Sequence, residues 1–234
     1  HAQRTPQELA AINNATPGHR LLRGAISPGA VTLLVLPDPE RLVQLAEDLE
    51  EVAELILANT VVRDRFTGTA VLTREQAQDL GCLGYVARAS GLATDARIDH
   101  PSAELVNTPV TRTDGDVLAR FTLRMEEYAA ATQLAVSLIG SADTLAFRGT
   151  PAGRVWTIGD SDAASSGVGI VEGWRGTIVH RVEVDSGGRL TRAKIVDPSW
   201  FNWPALPVAL AGTIVPDFPL TNKSFNLSYA GNDL

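Results

Sequence analysis

Apolar residues recur every three or four positions after residue 38, which is the spacing of one face of an α-helix. Asp38, Pro39 and Glu40 supply an N-cap, a first-turn proline and an early acid, so we predict that a helix begins here. The acidic residues between these apolar positions predict that its other face is solvated. The stripe consists of Leu42, Leu45, Ala46, Leu49, Val52, Ala53 and Ile56.

Two further helices are predicted from caps and periodicity. Thr73 with Gln76 three positions later is a capping box, and Gly81 marks the end of the short helix that follows. Asp114 or Asp116 is a candidate N-cap for a long helix that runs to about residue 139. The apolar stripe of this long helix is Val117, Phe121, Met125, Tyr128, Ala135 and Leu138.

From residue 167 onward the apolar period changes to two. Residues 178–184 and 189–196 alternate around the turn Asp185-Ser186-Gly187-Gly188, which predicts an antiparallel hairpin. Residues 84–109 read as a long irregular crossing, residues 159–169 as a glycine-rich flexible connection, and residues 199–211 as one more helix. The predicted fold is therefore α+β and mainly helical, with a helical half (1–158) on which a hairpin-bearing C-terminal segment (159–234) packs as one compact unit.

Composition excludes several classes of function. The net charge of −7 argues against nucleic-acid binding, and a single cysteine, Cys82, excludes an internal disulfide or a multi-cysteine metal site built from this chain. No apolar run reaches the roughly 18 residues that a membrane span needs, so any membrane association should be indirect. The single cysteine fits a reducing, cytoplasmic setting. The chain begins with His1 rather than methionine and shows no signal-peptide pattern, so it could be a piece of a longer protein or a processed product.

A specific motif lies in the β-region. Residues 171–180 read Val-Glu-Gly-Trp-Arg-Gly-Thr-Ile-Val-His, and residues 198–203 read Pro-Ser-Trp-Phe-Asn-Trp. Nickel–iron hydrogenase large subunits carry a similar stretch, Glu-Ala-Pro-Arg-Gly-x-x-x-His followed by Pro-Thr/Ser-x-x-Asn. Further blocks at 18–24, 65–69, 81–84, 88–97 and 115–120 resemble the large subunits of respiratory complex I and, most of all, of formate hydrogenlyase. The chain thus resembles the C-terminal half of this superfamily, which implies a hydrogenase-large-subunit-like helical core.

The C-terminus departs from the hydrogenase pattern. Hydrogenases end in Ser-x-Asp-Pro-Cys-x-x-Cys, whereas Ser228 and Gly231 occupy the two cysteine positions here. Thiolates hold nickel and iron in that family, and neither a hydroxyl nor a glycine replaces them. The resemblance therefore implies that this chain binds no metal and no cofactor of its own. An iron–sulfur cluster is expected in a partner subunit, and a quinone site is expected only in the full parent.

The resemblance also selects candidate site residues. Arg175, His180 and Glu172 fall on the family's catalytic motif, although without a metal Arg175 could instead be a structural arginine that pairs with Glu172, Asp95 or Asp116, and His180 a core histidine. Four charged residues in the family-matching blocks could form either a proton path or a buried ion-pair network, and both alternatives stay open. These residues are Asp95, Arg97, Asp116 and Arg120.

Three other side chains have simpler interpretations. Cys82 follows a helix end, where the macrodipole does not lower a thiol pKa, so a buried inert thiol is expected. Trp200 and Trp203 are interpreted as packing in the core or on a subunit face rather than stacking on a quinone. We also expect at least one of Trp200, Trp203 and Phe218 to be exposed for a partner.

Two functions are compatible with these features. The first is part of an electron-transfer oxidoreductase, an NADH dehydrogenase or formate-linked enzyme that uses NAD or formate through other subunits and a quinone or related acceptor. The second is a non-catalytic, metal-free assembly module. In both, the implied partners are an iron–sulfur small subunit and other complex I or hydrogenase-like subunits, at the inner face of the plasma membrane.

Overall fold

The computed structural model describes residues 4–27, 30–31, 33–101, 109–141 and 163–233. The chain divides into two compact units, of which the first comprises His1–Ala58 and Glu127–Thr157 and the second Asn59–Glu126 and Ile158–Leu234. The predicted division at residues 158 and 159 lies outside the described residues.

The first unit begins with α1 (Arg4–Ala15), a helix that the sequence analysis did not predict. Two short strands pair next, β1 (Ile26–Ser27) with β2 (Ala30–Val31). Helix α2 (Pro39–Ala58) confirms the first prediction, because the Asp38 carboxylate accepts the backbone N–H of Glu40 at 3.0 Å and Leu45 and Ala53 of the apolar stripe are buried.

The second unit carries most of the core. Its helices are α3 (Thr60–Phe66), α4 (Arg74–Asp79), α5 (Gly84–Ala89), α6 (Ala96–Asp99) and the first turns of α7 (Val117–Gly140), whose residues from Glu127 onward belong to the first unit. The strands β3 (Ser165–Gly173), β4 (Gly176–Val184) and β5 (Leu190–Val196) follow. The chain then forms α8 (Pro198–Asn202), α9 (Ala205–Leu210), a 3-10 turn (Val215–Asp217), α10 (Phe218–Phe225) and α11 (Tyr229–Asn232).

Both capped helices of this unit start where predicted. The Thr73 hydroxyl accepts the Gln76 N–H at 3.2 Å while the Gln76 side chain accepts the Thr73 N–H at 3.0 Å. Asp116 caps α7 by accepting the Ala119 N–H at 2.7 Å. These caps satisfy amide groups that have no partner inside the helix, which is why they could be read from the sequence.

The region predicted as an irregular crossing, residues 84–109, contains α5 and α6 instead. Every residue of α5 is buried, so the helix has no polar face and no periodicity that a sequence pattern could reveal. The four-residue α6 is capped by Asp95, whose carboxylate accepts the Arg97 N–H at 2.9 Å. Residues 102–108 of the predicted crossing lie outside the described part of the chain.

The predicted hairpin is confirmed as β4 and β5, and it is extended by an unpredicted strand. The antiparallel order is β3-β4-β5, with Glu172 opposite Thr177 and Gly173 opposite Gly176. Residues 165–169 were predicted to be part of a flexible connection, but they pair with β4 over their whole length. Main-chain hydrogen bonding to β4 supplies this order despite two glycines, which have little intrinsic preference for a strand.

The single helix predicted for residues 199–211 is two helices, α8 and α9, separated at Trp203-Pro204. Asp197 starts α8 by accepting the Ser199 N–H at 2.8 Å. Pro204 has no N–H to continue the hydrogen bonds of α8, although Trp203 before it keeps helical backbone angles of φ −57° and ψ −45°. The core around these helices includes Leu72, Tyr85, Val86, Leu123, Leu206 and Phe225.

Candidate functional site

Two of the candidate site residues, Glu172 and Arg175, lie at the β3–β4 turn. Gly173 pairs with Gly176, so Trp174 and Arg175 form the tip of a tight turn between these two glycines. The tip lies directly against the start of α5, where a Cβ on Gly84 would come within 2.0 Å of the Arg175 carbonyl oxygen. Gly84 also has a φ of +63°, which L residues rarely adopt. This position therefore requires glycine on two grounds.

Glu172 is the centre of a buried charge cluster. Its side chain is 4% exposed and accepts the Arg88 guanidinium at 3.0 Å, the Ala96 N–H at 3.0 Å and the Thr177 hydroxyl at 3.1 Å. Arg88 is 2% exposed and also donates to the Thr94 carbonyl at 2.8 Å. The cluster thereby ties the β3–β4 turn to α5 and α6.

Asp95 extends the cluster toward the surface. Its carboxylate lies 3.9 Å from Arg88 and 2.6 Å from Arg97, which is 29% exposed. Burial alone would raise the Asp95 pKa, but hydrogen bonds from Arg97 and the charges of Arg97 and Arg88 outweigh it, so the pKa is lowered. Asp95 is therefore ionised at neutral pH and helps to balance Arg88.

Arg175 does not pair with Asp95 or Asp116 in the part of the chain that the structure describes, so that prediction is wrong. Its Nε donates to the Asn226 carbonyl at 2.6 Å, and its guanidinium lies 3.9 Å from the centroid of the Trp174 ring. Burial lowers the Arg175 pKa, Arg124 lowers it further, and Tyr85 and Asp197 act in the opposite direction. A main-chain carbonyl and an aromatic face therefore replace the expected carboxylate.

Tyr85, Trp174 and Arg124 pack together beside Arg175. Tyr85 and Trp174 stack with centroids 5.9 Å apart, and the Arg124 guanidinium lies 5.2 Å from the Trp174 centroid and 5.5 Å from that of Tyr85. The Tyr85 hydroxyl donates to the carbonyls of Ser224 and Phe225. These contacts hold the tip of the turn against α5, α7 and α10.

The residues at the family's cysteine positions have structural contacts. The Ser228 hydroxyl caps α11 by accepting the Gly231 N–H at 2.9 Å, and the Ser228 N–H donates to the Ser199 hydroxyl at 3.0 Å. A Cβ on Gly231 would lie 2.4 Å from Cγ of Asp197, so no side chain fits at residue 231 without displacing that carboxylate. The residues present do not fit a nickel–iron centre held by two thiolates at these positions.

Asp116 and Arg120 bind main-chain groups of other segments. Asp116 accepts the N–H groups of Gly68 and Ala119, each at 2.7 Å. Arg120 is fully buried and donates to the carbonyls of Gly115 at 2.7 Å and Ala70 at 3.0 Å. Burial lowers the Arg120 pKa to about 10, against the opposing effect of Tyr85 and Asp116, so the side chain stays cationic at neutral pH.

The remaining predicted residues are separate from these clusters. His180 is exposed on the sheet, opposite Gly169 and Ile195, so the core-histidine interpretation is wrong. Alternation of apolar and polar residues alone did not reveal that this side chain is exposed. Cys82 is buried as expected, and burial raises the pKa of its thiol to about 11, which disfavours the reactive thiolate. Trp200 is 57% exposed and Phe218 is 49% exposed, which confirms that at least one of Trp200, Trp203 and Phe218 is exposed.

Sequence reasoning missed Arg88 and Asp197 as members of these clusters. Arg88 lies in a block that carried the family resemblance, but an arginine in a buried six-residue helix has no pattern that predicts its partner. Asp197 precedes Pro198 as an N-cap signal, and its contact with Gly231 depends on the tertiary fold. Within the described ranges, no group of three His, Cys, Asp or Glu side chains could hold a metal ion, and no helix is long and apolar enough to cross a membrane.

Comparison with known proteins identifies the family. The family described as "Respiratory-chain NADH dehydrogenase, 49 Kd subunit" matches residues 7–143. The chain belongs to this family. This result confirms the superfamily predicted from the motifs.

Curated relatives come from both branches of the superfamily. The chain is 33% identical to the C/D subunit of the NADH-quinone oxidoreductase of Phocaeicola vulgatus over 58% of its own length and 28% of that protein. It is 29% identical to formate hydrogenlyase subunit 5 of Escherichia coli over 81% of its own length and 33% of that protein. The chain therefore spans about a third of these relatives.

A solved structure confirms the fold class. A chain of the membrane-bound sulfane sulfur reductase, an archaeal respiratory membrane complex, superimposes with a TM-score of 0.80 and 22% identity. The match covers 100% of this chain and 65% of that one. The mainly helical α+β fold with its antiparallel sheet is thus the fold of a respiratory-complex subunit.

Proposed function

We propose that this chain forms the C-terminal part of the large subunit of a multisubunit electron-transfer oxidoreductase of the complex I type. In this proposal a partner subunit supplies an iron–sulfur cluster, and electrons derived from NADH or formate pass to a quinone or a related acceptor. The chain itself binds no metal. The complex lies at the cytoplasmic face of the membrane, to which other subunits attach it.

The observation that carries the proposal is the construction of the C-terminal segment. The Ser228 hydroxyl caps α11, and Gly231 lies so close to Asp197 that a side chain there would collide with the carboxylate. A metal-bound thiolate at residue 228 could not also cap the helix, and one at residue 231 would displace Asp197. This supports a metal-free member of the superfamily over a hydrogenase. The family match across residues 7–143 supports the respiratory branch in the same way.

In this assignment the buried cluster around Glu172 has a positioning role. It fixes the β3–β4 turn on α5 and α6, so that Arg175 is held as a cation beside Trp174 and close enough to Asp197 for their charges to interact. A cation held in place needs no reorganisation when negative charge develops near it during reduction of an acceptor. Arg175 thus contributes to the wall of the acceptor site, and Glu172 acts through it.

The test is an assay of the assembled parent complex. Acceptor reduction with NADH and with formate should identify one donor, and elemental analysis of the dialysed large subunit should find far less than one nickel per chain. Arg175→Gln should lower acceptor reduction at least tenfold while the complex stays assembled. Stoichiometric nickel together with hydrogen evolution would refute the proposal.

A metal-free assembly module is the second candidate, and exposed apolar side chains favour it. Trp200, Phe218 and Val215 are 57%, 49% and 89% exposed, which fits a surface covered by other subunits. The same assay separates the two candidates. If Arg175→Gln leaves acceptor reduction unchanged in an intact complex, whereas Trp200→Ser dissociates the complex, the assembly role replaces the catalytic one.

A further inference from the structure

A cavity of about 130 Å³ opens in the second unit where α3, α7 and α10 meet. Its apolar lining comes from Phe66, Val117, Phe121 and Leu220. The rings of Phe66 and Phe121 pack with their centroids 5.5 Å apart, so each ring restrains the other at the cavity wall. A cavity of about 150 Å³ with such walls accommodates a benzene molecule, so this one is suited to an apolar group of roughly that size.

Two cations also line the cavity. Arg124 and Lys223 contribute to its wall, and neither forms an ion pair with a carboxylate among the residues that the structure describes. Arg124 is held instead against the rings of Tyr85 and Trp174, and Lys223 is exposed. The chain has a net charge of −7, yet within the described residues these two cations of one cavity have no carboxylate partner, which favours an anionic ligand.

We propose that this cavity binds a small organic anion, a carboxylate joined to an apolar group about the size of a benzene ring. The apolar group occupies the lining around Phe66 and Phe121, and the carboxylate is bound by Arg124 and Lys223. Burial of the apolar group supplies affinity, and the two cations favour anionic ligands over neutral ones. The proposal does not depend on the proposed function, because it requires no partner subunit and no electron transfer.

The direct test is a titration of the purified protein with 4-fluorophenylacetate, followed by ¹⁹F NMR. Saturable binding at one site is expected. The neutral 4-fluorophenylacetamide should bind at least tenfold more weakly, and competing acetate should displace the probe only at concentrations at least tenfold above those of unlabelled phenylacetate. No saturable binding, or equal binding of the neutral amide, would overturn the proposal. Equal displacement by acetate would reduce the cavity to a non-specific anion site and would also overturn it.

Variants locate the binding. Lys223→Gln should weaken probe binding at least threefold, and Leu220→Phe, which places a ring at the cavity wall, should weaken it at least tenfold. The matched control is Arg192→Gln, which removes one exposed positive charge on β5 and is not part of the cavity lining. Circular dichroism of each variant verifies folding. If Arg192→Gln weakens binding as much as Lys223→Gln does, the site is a general charge effect and the proposal is wrong.

Discussion

The buried pair between Arg88 and Glu172 gives the sharpest test of how this unit is held together. Glu172→Gln keeps the shape of the side chain but removes its charge, which leaves Arg88 buried with Asp95 at 3.9 Å as its nearest described carboxylate. The glutamine amide also turns an N–H group toward donors, since Arg88, Ala96 and Thr177 all donate to Glu172. Loss of one partner of a buried ion pair costs about 3 to 5 kcal/mol.

The single cysteine of the chain provides the assay. Cys82 is 3% exposed and lies in the core of the same unit, so a thiol reagent reaches it only when the unit opens. When closing is faster than labelling, the labelling rate follows the opening equilibrium, and a loss of 3 to 5 kcal/mol raises it roughly 150- to 5,000-fold. If Cys82 were labelled as fast as in the unfolded chain, the unit would be completely unfolded in that variant.

The matched control is Glu183→Gln on β4. Glu183 pairs with Arg181 at 2.9 Å on the surface, where the two side chains are 30% and 58% exposed. An exposed pair contributes under about 1 kcal/mol, so labelling should rise less than about fivefold. Replacing both buried partners with Arg88→Met and Glu172→Leu should recover part of the loss, because no charge of the pair is then left uncompensated. If Glu172→Gln behaves like Glu183→Gln, the reasoning on the buried cluster is refuted.

Three further predictions follow from the same unit. Because the Asp95 pKa is lowered in the folded state, its contribution to stability is present above its unfolded pKa of about 4 and is lost as the pH falls through the folded value; Asp95→Asn should therefore flatten the acid limb of a stability profile measured by denaturant melts, and an unchanged limb would contradict this. Gly84→Ala should cost about 2 to 5 kcal/mol in thermal melts because strain and a steric clash add, whereas Gly68→Ala, at φ +68° with open space around it, should cost about 1 to 2 kcal/mol; equal costs would exclude the clash with the Arg175 carbonyl. Arg175→Ala should cost about 1.5 to 3 kcal/mol, the range for a hydrogen bond from a charged group, and a loss of about 5 kcal/mol in the melt would indicate a carboxylate partner after all.

The local signals of the sequence were sufficient for the capped helices and for one hairpin. Asp38 and Thr73 cap the helices that they were expected to cap, and Asp116, one of two candidates with Asp114, caps the third, because capping depends on residues within one turn of each other. The turn predicted at residues 185–188 likewise joins β4 to β5, although the strand register shifts between Glu183 and Val184. The motif order was sufficient for the family, since it needs only spacing along the chain.

Tertiary structure alone decided which charges meet. Asp95 and Arg97 pair locally, two residues apart, but the partner of Glu172 lies 84 residues away, in a helix whose burial on every side removes any periodicity. We expected Arg175 to pair with a carboxylate, but it donates to the Asn226 carbonyl and lies against the Trp174 ring. The sequence shows which cations the chain carries; only the packed backbone determines which of them are buried and whether a carboxylate, a carbonyl or an aromatic face is close enough to compensate each one.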